Sequence, residues 1–116
     1  MNIESRPITK PEAIVIRTAL RLNPTINITN ELLDSIDTLK VVARCDCGCA
    51  SVDFEKPDEL SKTKPIANAI GVTPSRGEVG IIIWGTEKMI AGLEIYNLGA
   101  GDIDLVLPVP LTIRAC

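Results

Sequence analysis

Three cysteines stand at alternate positions, Cys45, Cys47 and Cys49, directly after an apolar run. If this segment is extended, the three thiols point to one face, because side chains on a strand repeat with a period of two. Thiols gathered on one face can hold a metal ion, perform redox chemistry or pack as small hydrophobic groups. These residues are the main candidates for chemistry, and the sequence leaves all three roles open.

A zinc ion at the three cysteines would need a fourth ligand, since structural zinc is tetrahedral. The sequence offers Asp46 beside the cluster, Cys116 at the end of the chain, or a ligand shared in a homo-oligomer. Zinc motifs usually place at least two residues between paired cysteines, so the Cys-x-Cys spacing is a poor match. The favoured interpretation is therefore that the protein holds no cofactor and packs the thiols as small hydrophobic groups, and a zinc site is the alternative.

Enzymatic chemistry has little support in the composition. The chain contains no histidine, which removes Ser-His-Asp and Cys-His arrangements and the commonest zinc ligand. Arg44 is the one neighbouring cation that would activate a thiol for redox or nucleophilic work. The glycines match no phosphate-binding pattern. No catalytic residue is therefore assigned.

Two aromatic residues and one carboxylate are candidates for binding a protein partner. Trp84 and Tyr96 are expected on the same side of one hairpin, opposite the helices. There they either form an exposed aromatic patch or cover the outer face of the sheet. Glu94 lies inside an apolar run, where it either faces water or, if buried, needs Arg44 or Lys40 as its partner.

Three more acidic residues, Glu55, Asp58 and Glu59, are candidates for meeting a basic partner. The formal net charge of −3 disfavours nucleic acid, because phosphate binding relies on clustered Lys and Arg. No apolar run approaches the roughly 20 residues that span a bilayer, and residues 1–11 lack the apolar stretch of a signal peptide. The sequence therefore predicts a cytoplasmic protein that binds neither membrane nor nucleic acid.

Two helices are predicted in the N-terminal part of the chain. Thr9 and Glu12 have the spacing of a capping box, which starts a helix over residues 10–22. A second helix begins near Thr29 or Asn30, both good N-caps. The apolar stripe of the first helix is Ala13, Val15, Ile16, Ala19, Leu20 and Leu22.

Strands are predicted after the helices. Residues 40–44 and 51–55 form a hairpin with Gly48 in its turn, which competes with one straight strand carrying the three thiols. Residues 79–84 are apolar throughout, which is typical of a central strand covered on both faces. The remaining predicted strands cover residues 66–72 and 90–96, with 104–113 as an edge strand.

These elements predict an α+β fold with a single domain over residues 1–116. Two N-terminal helices would pack on one face of an antiparallel sheet of about four to five strands. The strands are expected in meander order, because no helix is predicted between them to make a parallel crossover.

Two segments together resemble a group of small bacterial proteins. Residues 45–52 begin Cys-Asp-Cys-Gly-Cys, and residues 90–97 contain Leu-Glu-Ile-Tyr after a strand that ends in glycine. They are similar to the Cys-x-Cys-Gly-Cys segment and the Leu-Glu-aliphatic-aromatic strand of small, mostly uncharacterised bacterial proteins. Some such acidic proteins resemble immunity proteins, which bind and neutralise a cognate toxin. The resemblance covers roughly the C-terminal two-thirds of the chain and implies no catalytic residue.

The favoured hypothesis is a non-enzymatic protein-binding domain. In its immunity-like form it would inhibit a basic toxin by steric and electrostatic occlusion. The alternative is a metal-binding or redox domain built on Cys45, Cys47 and Cys49. Elemental analysis of the purified protein separates the two, since a metal site would retain zinc or iron at near one ion per chain.

Overall fold

The computed structural model describes residues 2–45, 49–55, 62–99 and 101–115. Within them the α+β class is confirmed, with two α-helices and a sheet of six antiparallel strands. In chain order the elements are β1 (Asn2–Pro7), α1 (Lys10–Leu22), α2 (Asn30–Ser35), a 3₁₀ turn (Ile36–Thr38), β2 (Lys40–Arg44), β3 (Val52–Phe54), β4 (Lys64–Val72), β5 (Glu78–Gly85), β6 (Ile90–Asn97) and a second 3₁₀ turn (Pro110–Thr112).

Helix α1 begins with the predicted capping box. The Thr9 hydroxyl accepts a hydrogen bond from the Glu12 backbone N–H at 3.3 Å, and Glu12 Oε1 accepts one from the Thr9 backbone N–H at 2.9 Å. Arg6, at the end of β1, donates to both oxygens of the same carboxylate at 3.0 Å. The cap therefore also fixes strand β1 to the start of α1.

The apolar stripe of α1 faces the core as predicted, except at its last residue. Leu22 is 45% exposed, because the helix ends there and turns away at Asn23. The buried residues of the stripe are Ala13, Val15, Ile16, Ala19 and Leu20.

Helix α2 begins where the sequence indicates. The Thr29 side chain caps it by accepting a hydrogen bond from the Leu32 backbone N–H at 3.1 Å. After six residues it tightens into the first 3₁₀ turn, so Leu32 and Ile36 enter the core while the chain is already returning to the sheet. Among the described helices, none is long and apolar enough to span a membrane.

The strand order is β1-β2-β3-β6-β5-β4. The predicted meander is therefore wrong, because β3 pairs with β6 rather than with β4. The predicted number of strands is also too low. The extra strand is β1, which comes before the helices and pairs antiparallel with β2 at the edge of the sheet. Backbone pairing at an edge does not need an alternating apolar pattern, which the segment Asn2–Pro7 lacks.

The predicted edge strand over 104–113 is also wrong. The segment instead crosses the sheet with scattered hydrogen bonds, from Ala50 N to Leu105 O at 2.7 Å and from Val109 N to Val72 O at 2.8 Å. Pro108 and Pro110 lack the N–H groups that a regular ladder would use, so the segment ends in a 3₁₀ turn.

The two faces of the sheet differ in what covers them. On the covered face, odd-numbered residues of β5 and β6 pack against the helices, and Ile81, Ile83 and Leu93 are 0–1% exposed. On the open face lie the even-numbered residues of β5 together with Gly92, Glu94 and Tyr96 of β6, and Ile82 and Trp84 are half-buried. A register shift beside Gly85 places Ile90 in the core instead. The expectation that residues 79–84 are covered on both faces is therefore wrong within the described part of the chain.

Candidate functional site

The cysteine segment connects two antiparallel strands. Cys45 directly follows β2, Cys49 stands shortly before β3, and the Cys45 backbone N–H donates to Ser51 O at 3.3 Å. Because β2 and β3 run in opposite directions, the chain must reverse between these residues. The single straight strand is therefore wrong and the hairpin is correct, so an extended strand cannot line the thiols up on one face.

The zinc hypothesis stays a prediction. Cys45 and Cys49 are both half-buried, whereas Asp46, Cys47 and Cys116 lie outside the described residues. Within residues 2–45, 49–55, 62–99 and 101–115, no three Cys, Asp or Glu side chains come together as metal ligands. Gly48, expected in the turn, also lies outside them.

The open face carries a depression of about 1090 Å³. It is lined by residues of β2, β3, β5 and β6, with Cys45 and Cys49 beside the start of β3 and Glu55 beyond its end. Of the sequence-predicted partner residues, Trp84, Glu94 and Glu55 line the depression. Asp58 and Glu59 lie outside the described residues.

Trp84 and Glu94 are joined across the β5–β6 hairpin. Trp84 stands opposite Gly92 and is diagonal to Glu94, and its indole N–H donates to Glu94 Oε1 at 3.0 Å. Glu94 thus faces the open face as expected, but its partner is the indole rather than Arg44 or Lys40. The hydrogen bond holds one carboxylate oxygen beside the tryptophan, while Oε2 makes no hydrogen bond in the described part of the chain.

Tyr96 has a different position from Trp84. It lies on the same face, as predicted, but stands opposite Gly80, and a Cβ at Gly80 would overlap its ring. Tyr96 therefore covers the backbone of β5, which favours the covering role over the exposed patch. It does not line the depression, so the two aromatic residues do not form one surface there.

Asp53 is a residue of the site that the sequence did not indicate. It is exposed in the middle of β3 and stands directly opposite Gly92. A Cβ at Gly92 would lie 3.2 Å from Asp53 Oδ1 and 3.8 Å from Trp84 Cβ. Because Gly92 has no side chain, the Asp53 carboxylate and the Trp84 Cβ both border the space where a Cβ of residue 92 would lie. We call Asp53, Trp84, Gly92 and Glu94 the notch.

The notch depends on the β3–β6 pairing, which joins segments far apart in the sequence. The pairing is limited to Val52 with Leu93 and Asp53 with Gly92. At the next position the Ser51 hydroxyl accepts a hydrogen bond from Ile95 N at 2.8 Å and donates to Ile95 O at 3.2 Å. One side chain therefore satisfies the two backbone groups of β6 where β3 turns away.

The charged residues in the described lining of the depression all have the same sign. Its described lining contains three carboxylates, Asp53, Glu55 and Glu94, and neither lysine nor arginine. The side chains of Asp53 and Glu55 make no hydrogen bond or ion pair within the described residues. An open, partly apolar surface with uncompensated negative charge attracts cationic groups and repels anionic ones.

The chain contains no histidine to act as a base, and the three described acids of the depression are spread along two strands and the end of β3. What this arrangement can do is hold a positively charged group beside an aromatic ring. Comparisons of this chain with protein-family models, with curated proteins and with solved structures found no match, so the site is interpreted from its own geometry.

Proposed function

We propose that this protein is a non-enzymatic binding domain that holds a basic segment of another protein on the open face of its sheet. The observation that carries the proposal is the composition of the depression. Its described lining combines three carboxylates with one tryptophan and contains no cation. Its volume of about 1090 Å³ is enough for several side chains of a partner.

The structure of the sheet supports this use of the open face. The helices share a packed core with the covered side of β5 and β6. The side chains on the open side therefore project from strands whose positions are fixed by that core. Ile82 and Trp84 provide half-buried apolar area, and Glu94 and Asp53 provide charge. An apolar centre with charged surroundings is the usual composition of a protein interface.

An immunity-like inhibitor of a basic toxin is the specific form of this function that we favour. Such a protein needs no chemistry of its own, since it acts by covering a cationic surface of the toxin. The net charge of −3 matches that role, because opposite charges accelerate encounter and strengthen selection among partners.

The experiment uses a 10-residue peptide of alternating lysine, arginine and serine, with an acidic peptide of the same length as the negative control. Binding is followed by backbone amide chemical shifts. We expect the shifts to map to β3, β5 and β6, and the affinity to fall as salt rises. Shifts that map to the helices instead would overturn the proposal.

Two double variants provide a matched comparison. Asp53→Asn with Glu55→Gln removes two charges from the depression, and Glu31→Gln with Asp34→Asn removes two exposed charges from α2. We expect the first to weaken peptide binding about fivefold to tenfold, because exposed ion pairs each contribute up to about 1 kcal/mol. The α2 double variant should weaken peptide binding less than about twofold, because it changes only the net charge of the protein. Equal losses would contradict the assignment to the open face.

A further inference from the structure

We propose that the notch is a subsite for an arginine side chain of the partner. This inference rests on the proposed function and adds the chemical identity of the group that is held. It depends on the positions of Asp53, Trp84, Gly92 and Glu94, and uses none of the other acidic residues of the depression.

The first step is the placement of the two carboxylates. Asp53 stands opposite Gly92, and Glu94 is the next residue of β6 on the same face. Diagonal neighbours of this kind lie about 7–8 Å apart along the backbone. A cation between them would interact with both carboxylates, and it would remove the repulsion between two like charges.

The second step is the tryptophan. Its indole N–H binds Glu94 Oε1 at 3.0 Å, so the ring is held beside the carboxylate while Oε2 remains without a hydrogen bond in the described chain. A planar guanidinium stacks on an aromatic ring and presents N–H donors along its edges. An ammonium group is a point charge without a planar face. Lysine would therefore be attracted by the two carboxylates but would not stack on the Trp84 ring.

The third step is the glycine. Asp53 Oδ1 and Trp84 Cβ both lie within 4 Å of the point where a Cβ of residue 92 would be. A side chain at that point would push the carboxylate away from the ring. Glycine at position 92 therefore lets one flat group contact the acid and the indole together.

The test uses three small probes: arginine, lysine and citrulline, each with an acetylated amino group and an amidated carboxyl group. Citrulline has nearly the shape of arginine without its charge. Binding is read from the fluorescence of Trp84, the single tryptophan of the chain, and from the amide shifts of β3 and β6. We expect arginine to bind at least about threefold more tightly than lysine, and citrulline to show no saturable binding.

Two single variants, with a third as their control, locate the subsite. Asp53→Asn should weaken arginine binding about fivefold, because it removes one charged partner. Glu31→Gln removes the same charge from an exposed position on α2, outside the depression, and should change binding less than about twofold. Gly92→Ala keeps every charge and should also weaken arginine binding. Its Cβ would lie 3.2 Å from the end of an exposed side chain that can move, so the fold should persist.

The outcomes separate the subsite from the proposed function. If lysine and arginine bind equally, or if Asp53→Asn and Glu31→Gln have equal effects, the arginine subsite is wrong. In that case, binding of the basic peptide that still depends on Asp53 and Glu55 together leaves the proposed function standing. If neither the peptide nor blocked arginine binds, both proposals fall.

Discussion

The covered and open faces are built from the same strands, yet they differ in burial and in the types of side chain they carry. On β5, Ile81 is fully buried beneath the helices, while Ile82 next to it is half-buried on the other side. On β6, Ile95 is 2% exposed, while Glu94 binds an indole at the surface. The covered face is closed, with aliphatic side chains and Phe54 in its core, whereas the open face carries Trp84, Tyr96, two glycines and carboxylates in the described part of the chain.

The difference indicates which residues maintain the fold and which are available for binding. Aliphatic side chains on the covered face exclude water and supply most of the stabilising free energy. Glycine opposite an aromatic residue, and an exposed acid without a partner, contribute little to a core. A binding surface would show such glycines and exposed acids concentrated on one face of a well-packed sheet.

The largest expected effect compares two neighbouring isoleucines. Ile81→Ala should lower the free energy of unfolding by about 3–4 kcal/mol, because it leaves a cavity in the closed core. Ile82→Ala should lower it by about 1 kcal/mol, since its side chain is already partly in water. Urea denaturation of both variants measures the two losses. Similar losses would mean that the open face is packed as tightly as the covered one.

The second prediction compares a satisfied carboxylate with an unsatisfied one. Glu12→Gln should lower the free energy of unfolding by about 2 kcal/mol, because the buried Glu12 carboxylate accepts hydrogen bonds from Arg6 and Thr9. Asp53→Asn should change stability by less than about 0.5 kcal/mol, or raise it slightly by removing repulsion. A large loss for Asp53→Asn would show that this acid has a structural role.

The Glu12 effect should also depend on pH. Burial raises the pKa of this carboxyl, but the hydrogen bonds from Arg6 and Thr9 outweigh burial and hold the pKa below its usual value. A carboxyl with a lowered pKa stabilises the fold above its unfolded value, and this contribution is lost as pH falls through the folded value. The difference between the natural protein and Glu12→Gln should therefore be constant above about pH 5.5 and shrink in acid. A difference that grows in acid would contradict this sign.

The third prediction concerns the ring over Gly80. Gly80→Ala should lower the free energy of unfolding by about 1–2 kcal/mol, since its Cβ would overlap Tyr96 and displace the ring. In a Tyr96→Ala background the same change should be neutral or stabilising, because the space is empty and alanine suits a strand better than glycine. A double-mutant cycle measures the coupling. Absence of coupling would mean that the ring does not cover this backbone.

The smallest expected effect is that of Trp84→Phe, about 1 kcal/mol or less. The change removes the N–H that binds Glu94 and keeps an aromatic ring. Tyr96→Phe is the matched control, since the Tyr96 hydroxyl makes no hydrogen bond in the described residues, and it should be neutral. Thermal unfolding and the amide shift of Glu94 report both variants. An unchanged Glu94 shift in Trp84→Phe would count against the hydrogen bond.

Local signals in the sequence were enough to predict the helices and most strands. The capping box at Thr9 predicts the first residue of α1, because it depends on residues three positions apart. The alternation in residues 92–96 likewise predicts which side chains of β6 share a face, whereas a register shift beside Gly85 places Ile90 in the core against that pattern. These features depend on near neighbours, so a single sequence contains them.

The strand order and the notch could not be predicted in the same way. The pairing of β3 with β6 joins Asp53 to Gly92, and no local pattern indicates which distant strand a three-residue strand will select. Strand β1 lacks an alternating apolar pattern, so its pairing with β2 was also missed. Asp53 was overlooked because an acid on a strand looks like an ordinary solvated residue until the residue opposite it is known to be glycine.

The short β3–β6 pairing joins two parts of the sheet, β1-β2-β3 and β6-β5-β4. Strands β4, β5 and β6 are joined by local hairpins, whereas the Ser51 and Ile95 contact closes a separation of 44 residues. Two residue pairs hold this joint, and closing so long a separation costs chain entropy, so we expect its amides to exchange with solvent before those of the hairpins. The depression spans the joint, with β2 and β3 on one side and β5 and β6 on the other. A ligand in the depression would contact both parts of the sheet and would therefore stabilise the β3–β6 pairing. Ligand binding and formation of this pairing would then be cooperative.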